Sequence, residues 1–239
     1  MKLNKKEIND FHSKGFCIVD IGCKNHLINL RKKWIKMFNN ISSEMHGINI
    51  KNDKDLIKLE KSKYRKVFVA VFDLIHLDPE VFQISSVKKI FNYAKQLGVR
   101  FPHHGTRPLT RVDFPKDKKY SYFDCHQDFP YNKHSLNSIV IWIPLQNTGI
   151  KEGCLEVSPK THQKKKIFKM KKNSMLIKDS SNFKFIKTKV KAGEALIFSE
   201  FLVHRSGKNI SDKIRFSIQL RLTDLLSNDY MKKNYPVIS

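Results

Sequence analysis

Residues 193–223 read GEALIFSEFLVHRSGKNISDKIRFSIQLRLT, and they predict the fold of the second half of the chain. The first eleven of these residues predict a strand, a turn and a second strand that leads into His204. From Arg215 to Thr223, polar and apolar side chains alternate. This is the pattern of a strand with one apolar face and one polar face.

Similar short apolar runs occupy the chain from residue 99 onward, separated by Pro, Gly, Asn, Asp and Ser clusters. Short strands between such turn signals are typical of a β-sandwich or barrel. The predicted strands cover residues 109–114, 120–128, 138–145, 154–157, 195–198 and 215–223.

The first 98 residues have helical periodicity instead. Asn4 with Glu7 is the signature of a capped helix start, Gly15 ends that helix, and a short strand follows at 16–19. Apolar spacing predicts helices from residue 27 and over 87–97, and the apolar run 67–77 predicts a buried helix, with a strand as the alternative. We therefore expect one domain, residues 1–239, with a mainly helical part (1–98) and a mainly β core (99–225).

The composition excludes several protein classes. The chain has 239 residues, of which 40% are hydrophobic, so it is too apolar for intrinsic disorder. No apolar run approaches the roughly 20 residues of a membrane span, and no signal peptide follows the first charges. The four cysteines form no CxxC pair and are typical of reduced thiols. We expect a soluble, cytoplasmic protein with no membrane span.

Lysine dominates the positive charge, with 38 Lys, 8 Arg and a net charge of +24. Proteins that recognise specific nucleic-acid sequences favour Arg over Lys, so we expect no specific nucleic-acid partner. A basic protein that binds nucleic acid through its charge stays an alternative function. Residues 160–191 contain 12 Lys opposed only by Asp179. This stretch indicates a solvated face or, as a sharper hypothesis, a funnel for an anionic substrate.

Three side chains far apart in the chain suggest a metal site. His126 and Asp128 are two residues apart in a predicted strand, so both would point to the same side. His204 adds a second imidazole at the end of another predicted strand. Two imidazoles and one carboxylate leave three open positions, which is the facial triad of non-haem Fe(II) oxygenases.

The last predicted strand places a row of polar side chains on one face. These are Arg215, Ser217, Gln219 and Arg221. A guanidinium beside a hydroxyl is suited to binding a carboxylate. Without the three metal ligands, a surface salt-bridge arginine would be the simpler interpretation.

Four segments together resemble the phytanoyl-CoA dioxygenase-like family of Fe(II)/2-oxoglutarate oxygenases. They are KKEINDFHSKGFCIVDI (5–21), CHQDFPY (125–131), NSIVIWIPLQNTGIKEGCLEVSPKTH (137–162) and GEALIFSEFLVHRSGKNISDKIRFSIQLR (193–221). The resemblance implies a double-stranded β-helix, a jelly-roll or cupin-like fold, with flanking α-helices. The family's Pro-Gly-Ser-His turn reads Pro-Lys-Thr-His here, at residues 159–162.

The resemblance also implies roles for particular residues. It implies that His126, Asp128 and His204 hold the iron, and that Arg215 binds the distal carboxylate of 2-oxoglutarate. Ser206 matches a hydroxyl position that helps the arginine, and Ser217 is a second candidate. The residues implied to line the co-substrate or substrate pocket are Phe123, Arg111 and Asn137. Since Asp128 is retained, halogenation is disfavoured.

The expected cofactors are therefore Fe(II), 2-oxoglutarate and O2. The expected reaction is hydroxylation of an unactivated C–H bond in a small anionic metabolite, of the sugar-linked, nucleotide-linked or acyl-CoA type, with succinate and CO2 as co-products. A catalytically silent oxygenase-fold binding module and a metal-dependent isomerase or hydrolase are the alternatives. The sequence indicates no oligomeric state.

Other residues near these motifs have simpler interpretations. His103 and His104 are predicted to be polar loop residues, with a position at the mouth of the substrate site as the alternative. His134 is predicted to be a solvated loop residue, with contact to the substrate as the alternative. Trp142 is predicted to lie in the core. By strand alternation, Cys125 is expected to pack away from the ligand face.

Overall fold

A computed structural model of the chain describes residues 2–116, 123–172 and 174–234. The helices in these parts are α1 (Lys5–Lys14), α2 (Lys24–His46), α3 (Asp53–Lys61), α4 (Arg65–Ile75), α5 (Pro79–Ser85), α6 (Lys88–Gln96), α7 (Phe129–Asn132) and α8 (Asn228–Met231). The strands are β1 (Phe16–Asp20), β2 (Pro102–His104), β3 (Leu109–Asp113), β4 (Ile139–Pro144), β5 (Glu156–Val157), β6 (Ile186–Lys187), β7 (Glu194–Ser199), β8 (His204–Arg205) and β9 (Arg215–Asp224).

Helices α1, α2, α4 and α6 of the first part form where the sequence predicts them. Asn4 and Glu7 cap α1 reciprocally, and Gly15 ends it in the left-handed region at φ +93°, where a side chain would be strained. The apolar run 67–77 is confirmed as a helix, α4, as far as Ile75, but it is not buried all round, because Leu74 is 49% exposed. The short helices α3 and α5 were not predicted, and each begins at a polar cap, Asn52 or Asp78, that local periodicity does not detect. No helix among the described residues is long and apolar enough to span a membrane.

The strands form two antiparallel sheets. The larger sheet has the order β1-β7-β4-β9-β2, with β3 also paired to β9, and the smaller has the order β6-β5-β8. His126 extends the smaller sheet, because it forms β-bridges to both His204 and Leu176. The predicted strands at 138–145, 195–198 and 215–223 are confirmed as β4, β7 and β9.

Strand β4 shows why the protein has layers. Its side chains alternate, so Ile139, Ile141 and Ile143 pack in the cluster that contains the helices. On the other face, Val140 and Trp142 pack in a cluster that includes residues of β5 and β7, between the two sheets. All six residues of β4 are consequently buried. Helices thus cover one face of the larger sheet and the smaller sheet covers the other, as predicted for a jelly roll with flanking helices.

The predicted strand at 120–128 is wrong in its described part, and residues 120–122 lie outside the described residues. His126 is the one described residue of this segment that forms β-bridges, although the carbonyl groups of Phe123 and Cys125 accept hydrogen bonds from Ser206 and Ile177. Asp128 is the N-cap of α7, with φ −77° and ψ −29°. The reason is Pro130, which lacks an N–H for a strand ladder and is suited to the first turn of a helix. The loop predicted at His103 and His104 is also wrong, because both residues belong to β2, which pairs with β9.

Candidate metal centre

His126, Asp128 and His204 lie together and are all buried. One nitrogen or oxygen atom from each side chain lies within 4.8 Å of the corresponding atoms of the other two. The Nε2 atom of His126 is 3.6 Å from Oδ1 of Asp128, and the two imidazole centroids are 4.1 Å apart. Two imidazoles and a carboxylate are a ligand set that fits Fe(II).

Backbone pairing explains why residues so distant in the chain meet here. The N–H groups of His126 and His204 each donate to the carbonyl oxygen of the other residue, both at 3.0 Å. Asp128 turns toward them because it begins α7 rather than continuing the extended segment. The prediction that His126 and Asp128 share a side is therefore right, although strand alternation is not the cause.

Hydrogen bonds to backbone carbonyls set the orientation of both histidines. Nδ1 of His126 is 2.7 Å from the carbonyl oxygen of Asp124, and Nδ1 of His204 is 2.9 Å from that of Leu202. A carbonyl only accepts, so each Nδ1 carries a proton, and in the neutral form of either imidazole Nε2 is the nitrogen with the lone pair. This arrangement is typical of histidines that bind metals through Nε2.

The protonation states of the cluster also suit a metal. Burial lowers the pKa of His204 to about 3, so its imidazole is neutral near pH 7. For Asp128, burial alone would raise the pKa, but the nearby Arg221 guanidinium lowers it well below its usual range. A neutral imidazole and an ionised carboxylate are the forms that coordinate a cation.

Two residues of the polar row on β9 hold Asp128. Nη2 of Arg221 lies 3.6 Å from Oδ1, and Nε2 of Gln219 donates to Oδ2 at 3.2 Å. The alternation of polar and apolar residues along β9 predicted that both side chains share one face, but it did not predict their contact with Asp128. That alternation was the signal from which partners of the metal ligands could have been sought.

A cavity of about 1040 Å³ contains the three candidate ligands. Of the residues predicted for the pocket, Arg111, Phe123, Ser206 and Arg215 line it. The Arg111 guanidinium lies 5.8 Å from the ring centroid of Phe123. His104 and Trp142 also line the cavity, so Trp142 is both a core residue and part of the cavity wall.

One guanidinium nitrogen of the buried Arg215 has no partner among the described residues. Arg215 is 1% exposed, and its Nη2 and Nε atoms lie 2.7 and 3.2 Å from Oδ2 of Asp113. Its third nitrogen, Nη1, has no hydrogen-bond partner among the described residues, and neither has Oγ of the buried Ser217. Buried polar atoms rarely lack partners, so Arg215 Nη1, in the wall of the cavity, fits a site that a carboxylate completes, whereas Ser217 is fully buried and does not line the cavity.

Ser206 lines the cavity, whereas Asn137 lies outside it. Ser206 Oγ accepts a hydrogen bond from the Phe123 N–H at 3.2 Å, and the Ser206 N–H donates to the Phe123 carbonyl at 2.8 Å. Ser206 thus fixes an aromatic wall of the cavity. The structure does not bring Asn137 to the cavity, because its side chain is exposed and its Oδ1 accepts a hydrogen bond from Lys165 Nζ at 3.0 Å.

The prediction that His134 is a solvated loop residue is wrong. His134 and Glu200 are both 0% exposed, with Nδ1 of His134 2.9 Å from Oε1 of Glu200. Asn132 Nδ2 donates to the same oxygen at 3.1 Å, and the Phe129 N–H donates to the Glu200 carbonyl at 3.0 Å. These contacts anchor α7 directly after Asp128. Cys125, in contrast, packs with Ile177 and Val203, as predicted.

The turn at residues 159–162 positions the chain before His204 without the family's glycine. Lys160 adopts the left-handed conformation, with φ +69°, that favours glycine. Next to it, Thr161 Oγ1 donates to the Ser158 carbonyl at 2.8 Å and accepts from the Val203 N–H at 2.9 Å. The Thr161 hydroxyl therefore holds Val203, the residue that precedes a candidate ligand, and Lys160 adopts a conformation that glycine would take without strain.

Comparison with known proteins shows the family to which the chain belongs. The model of the phytanoyl-CoA dioxygenase (PhyH) family matches residues 93–217, which is more than half of the chain. No curated protein matches the chain at a significant level.

Solved structures share the fold at low sequence identity. The α-ketoglutarate-dependent carbocyclase SnoK from nogalamycin biosynthesis is 17% identical over 93% of this chain and 85% of its own, with a TM-score of 0.59. The non-haem monooxygenase ThoJ is 15% identical over 91% of this chain and 76% of its own, with a TM-score of 0.64. EvdO2 from Micromonospora carbonacea var. aurantiaca, solved with 2-oxoglutarate, is 14% identical over 93% and 91%, with a TM-score of 0.57.

The matched family segment contains every candidate ligand and Arg215, and the geometry places the three ligands around one point. From this we conclude that the chain belongs to the phytanoyl-CoA dioxygenase family and is an Fe(II)- and 2-oxoglutarate-dependent oxygenase.

Proposed function

We propose that this oxygenase hydroxylates an unactivated C–H bond of a small anionic metabolite while 2-oxoglutarate is converted to succinate and CO2. One observation carries the proposal. A single cavity joins the cluster of His126, Asp128 and His204 to Arg215, whose Nη1 atom lacks a partner among the described residues.

The proposed roles follow from the positions of the side chains. Nε2 of His126, Nε2 of His204 and the carboxylate of Asp128 hold Fe(II). Arg215 Nη1, assisted by the hydroxyl of Ser217, holds the distal carboxylate of 2-oxoglutarate. When both are bound, the iron and the keto acid activate O2 for oxidation of a C–H bond.

The chain itself supplies orientation and shielding. Gln219 and Arg221 keep Asp128 ionised and aimed at the cluster. The ring of Phe123 meets the His126 imidazole edge to face, with centroids 4.3 Å apart, and covers one side of the centre. All three ligands are at most 6% exposed, so bulk water is largely excluded from the reacting atoms.

The charge of the cavity supports an anionic substrate. The described residues that line it include four arginines and one carboxylate, that of Asp128. The arginines are Arg107, Arg111, Arg215 and Arg221. Arg215 is paired with Asp113 and Arg221 lies beside Asp128, whereas Arg107 is exposed and has no ion pair with a described residue. We assign the anionic group of the substrate to Arg107 and Arg111, since an arginine fork suits carboxylate or phosphate.

The direct test is turnover. Purified protein with Fe(II), ascorbate and 2-oxoglutarate is incubated with a panel of anionic metabolites, each beside its uncharged analogue, and succinate is measured. We expect substrate-stimulated succinate with anionic members only. The Arg107→Gln/Arg111→Gln variant should raise the substrate KM, whereas the surface variant Arg65→Gln should not. Preference for the uncharged analogues would reject the anionic class.

Two structures of this fold suggest ring closure or epimerisation as other outcomes of the same chemistry. SnoK is described as a carbocyclase. SnoN is described as an epimerase, and it is 13% identical to this chain with a TM-score of 0.55. Product mass separates the possibilities. Hydroxylation adds one oxygen atom, ring closure removes two hydrogen atoms, and epimerisation leaves the mass unchanged. If no substrate stimulates succinate formation, the protein is instead a binding module built on an oxygenase fold.

Two proposals concern the whole chain. We propose that residues 1–239 act as one domain, because a single apolar cluster contains Leu27 and Trp34 of α2 together with Phe216 and Leu222 of β9. We also propose a cytoplasmic location, which the four free cysteines support.

A further inference from the structure

The lysine-rich stretch has a feature that the oxygenase reaction does not use. A second cavity, of about 880 Å³, is formed mainly by residues of this stretch. It shares no lining residue with the cavity that contains the metal centre. Its size is in the range of small-molecule binding sites.

The floor of this second cavity is apolar and already packed. The rings of Phe168 and Phe183 meet edge to face with centroids 4.9 Å apart. Beside them, Ile177 is buried and Ile186 is 44% exposed. Ile177 in turn packs against Cys125 in the cluster behind the metal-binding segment. An apolar group could therefore enter without reorganising the floor.

The rim of the second cavity is basic. Lys169, Lys178 and Lys184 are exposed and have no ion pair with a described residue. The one acidic residue of the lining is Asp179, whose Oδ1 already accepts hydrogen bonds from the N–H and the hydroxyl of Ser181. The rim therefore has an excess of positive charge.

A short hairpin places two of these lysines next to each other. Met170 and Ile177 form a β-bridge, and the Lys178 N–H donates to the Lys169 carbonyl at 2.8 Å. Lys169 and Lys178 are thus cross-strand neighbours, an arrangement in which like charges repel. An anion bound between them would relieve this repulsion.

We infer that the second cavity binds an amphipathic anion, a free small molecule with an apolar ring or chain that ends in a carboxylate, phosphate or sulfonate. The apolar part would rest on Phe168, Phe183 and Ile186, and the anionic end would lie among the rim lysines. A free molecule fits better than a membrane surface, because Ile177 is buried, Phe168 and Phe183 are only partly exposed, and these side chains line a cavity of small-molecule size. The inference does not depend on the proposed reaction.

Fluorescence of 8-anilinonaphthalene-1-sulfonate, an aromatic anion, tests this inference on the full chain. We expect enhanced fluorescence that decanoate reverses, and that decyltrimethylammonium and 2-oxoglutarate do not reverse. The Lys169→Gln/Lys178→Gln/Lys184→Gln variant should bind the probe about tenfold more weakly, since three exposed charges are removed. The control Lys58→Gln/Lys61→Gln/Lys66→Gln changes the net charge equally on α3 and α4 and should bind normally.

A second variant tests the floor separately. Ile186→Ser removes an exposed apolar side chain, so the fold is preserved while binding of the probe and of decanoate weakens. Equal affinities of the two triple variants, equal displacement by the cationic amphiphile, or displacement by 2-oxoglutarate would each overturn the inference. The last result would place the probe in the cavity of the metal centre.

Discussion

Asp113 Oδ2 accepts two contacts from Arg215, at 2.7 Å from Nη2 and 3.2 Å from Nε, and leaves Nη1 of the guanidinium without a partner among the described residues. The two residues are directly paired across β3 and β9. Both are at most 2% exposed. Asp113 therefore compensates a buried charge and also decides which edge of the guanidinium remains available to a ligand.

The first prediction concerns this buried pair. Asp113→Asn should lower the free energy of unfolding by about 3 kcal/mol, because it leaves a buried guanidinium without its counter-charge. Asp10→Asn, which removes a carboxylate from exposed ion pairs with Lys6 and Lys14, should change it far less. Urea denaturation measures both. A change for Asp113→Asn no larger than that for Asp10→Asn would show that the pair does not stabilise the fold.

The layered fold was largely predictable because its signals are local. Alternation along 215–223 and the apolar run at 138–145 predicted β9 and β4, and helical spacing predicted α2 and α6. The conformation after His126 was not predicted, since a proline-initiated turn of helix replaces the strand at Asp128. Pro130 favours a helical turn here, although the residues before it have the pattern of a strand.

The candidate site, like the fold, was predictable only in part. The ligand types and their spacing in the sequence indicated iron, and the structure brings these side chains together. The residues that hold Arg215 and His134 in place could not be predicted, because these partners lie far away in the sequence. Asp113 is 102 residues from Arg215, and Glu200 is 66 residues from His134. No local periodicity reports such contacts, which exist only once the sheets have formed.

The second prediction tests the metal ligands. Replacing His126, Asp128 or His204 with Ala should weaken Fe(II) binding more than about a hundredfold, and Gln219→Met, which removes only a hydrogen bond to Asp128, should weaken it about tenfold. Anaerobic calorimetric titration with Fe(II) measures both effects. His46→Ala, on the exposed end of α2, should bind Fe(II) normally. Unchanged binding in any of the three ligand variants would refute that ligand.

The third prediction tests the anchor for 2-oxoglutarate. Arg215→Lys keeps the charge beside Asp113 but loses the free Nη1, so the KM for 2-oxoglutarate should rise at least about tenfold while Fe(II) affinity is retained. Ser217→Ala should raise the same KM by a smaller factor, because one neutral hydrogen bond is lost. The surface variant Arg65→Lys serves as the control. Succinate formation at varied 2-oxoglutarate gives the KM, and an unchanged value in Arg215→Lys would reject the anchoring role.

The fourth prediction concerns the cysteines and pH. Burial raises the pKa of Cys17 and of Cys125 to about 12, so at pH 8 their thiolate fractions are about a thousandfold smaller than for ordinary thiols. Iodoacetamide should modify the partly exposed Cys23 first and leave Cys17 and Cys125 intact, whereas all four cysteines should react in guanidinium. Peptide mass mapping reads out each site. Equal rates at Cys125 and Cys23 would contradict the packing found behind the metal-binding segment.

The same raised pKa values fix the sign of the alkaline stability change. Above about pH 8.5 the unfolded chain releases its thiol protons, whereas the folded chain keeps those of Cys17 and Cys125 to about pH 12. The folded state then binds more protons than the unfolded state, so stability falls as the pH rises through this window. Cys17→Ala should reduce the slope, and comparing its urea midpoints at pH 8 and pH 10 with those of the unmodified protein checks this. An identical pH dependence would mean that Cys17 ionises in the folded protein as readily as in the unfolded chain.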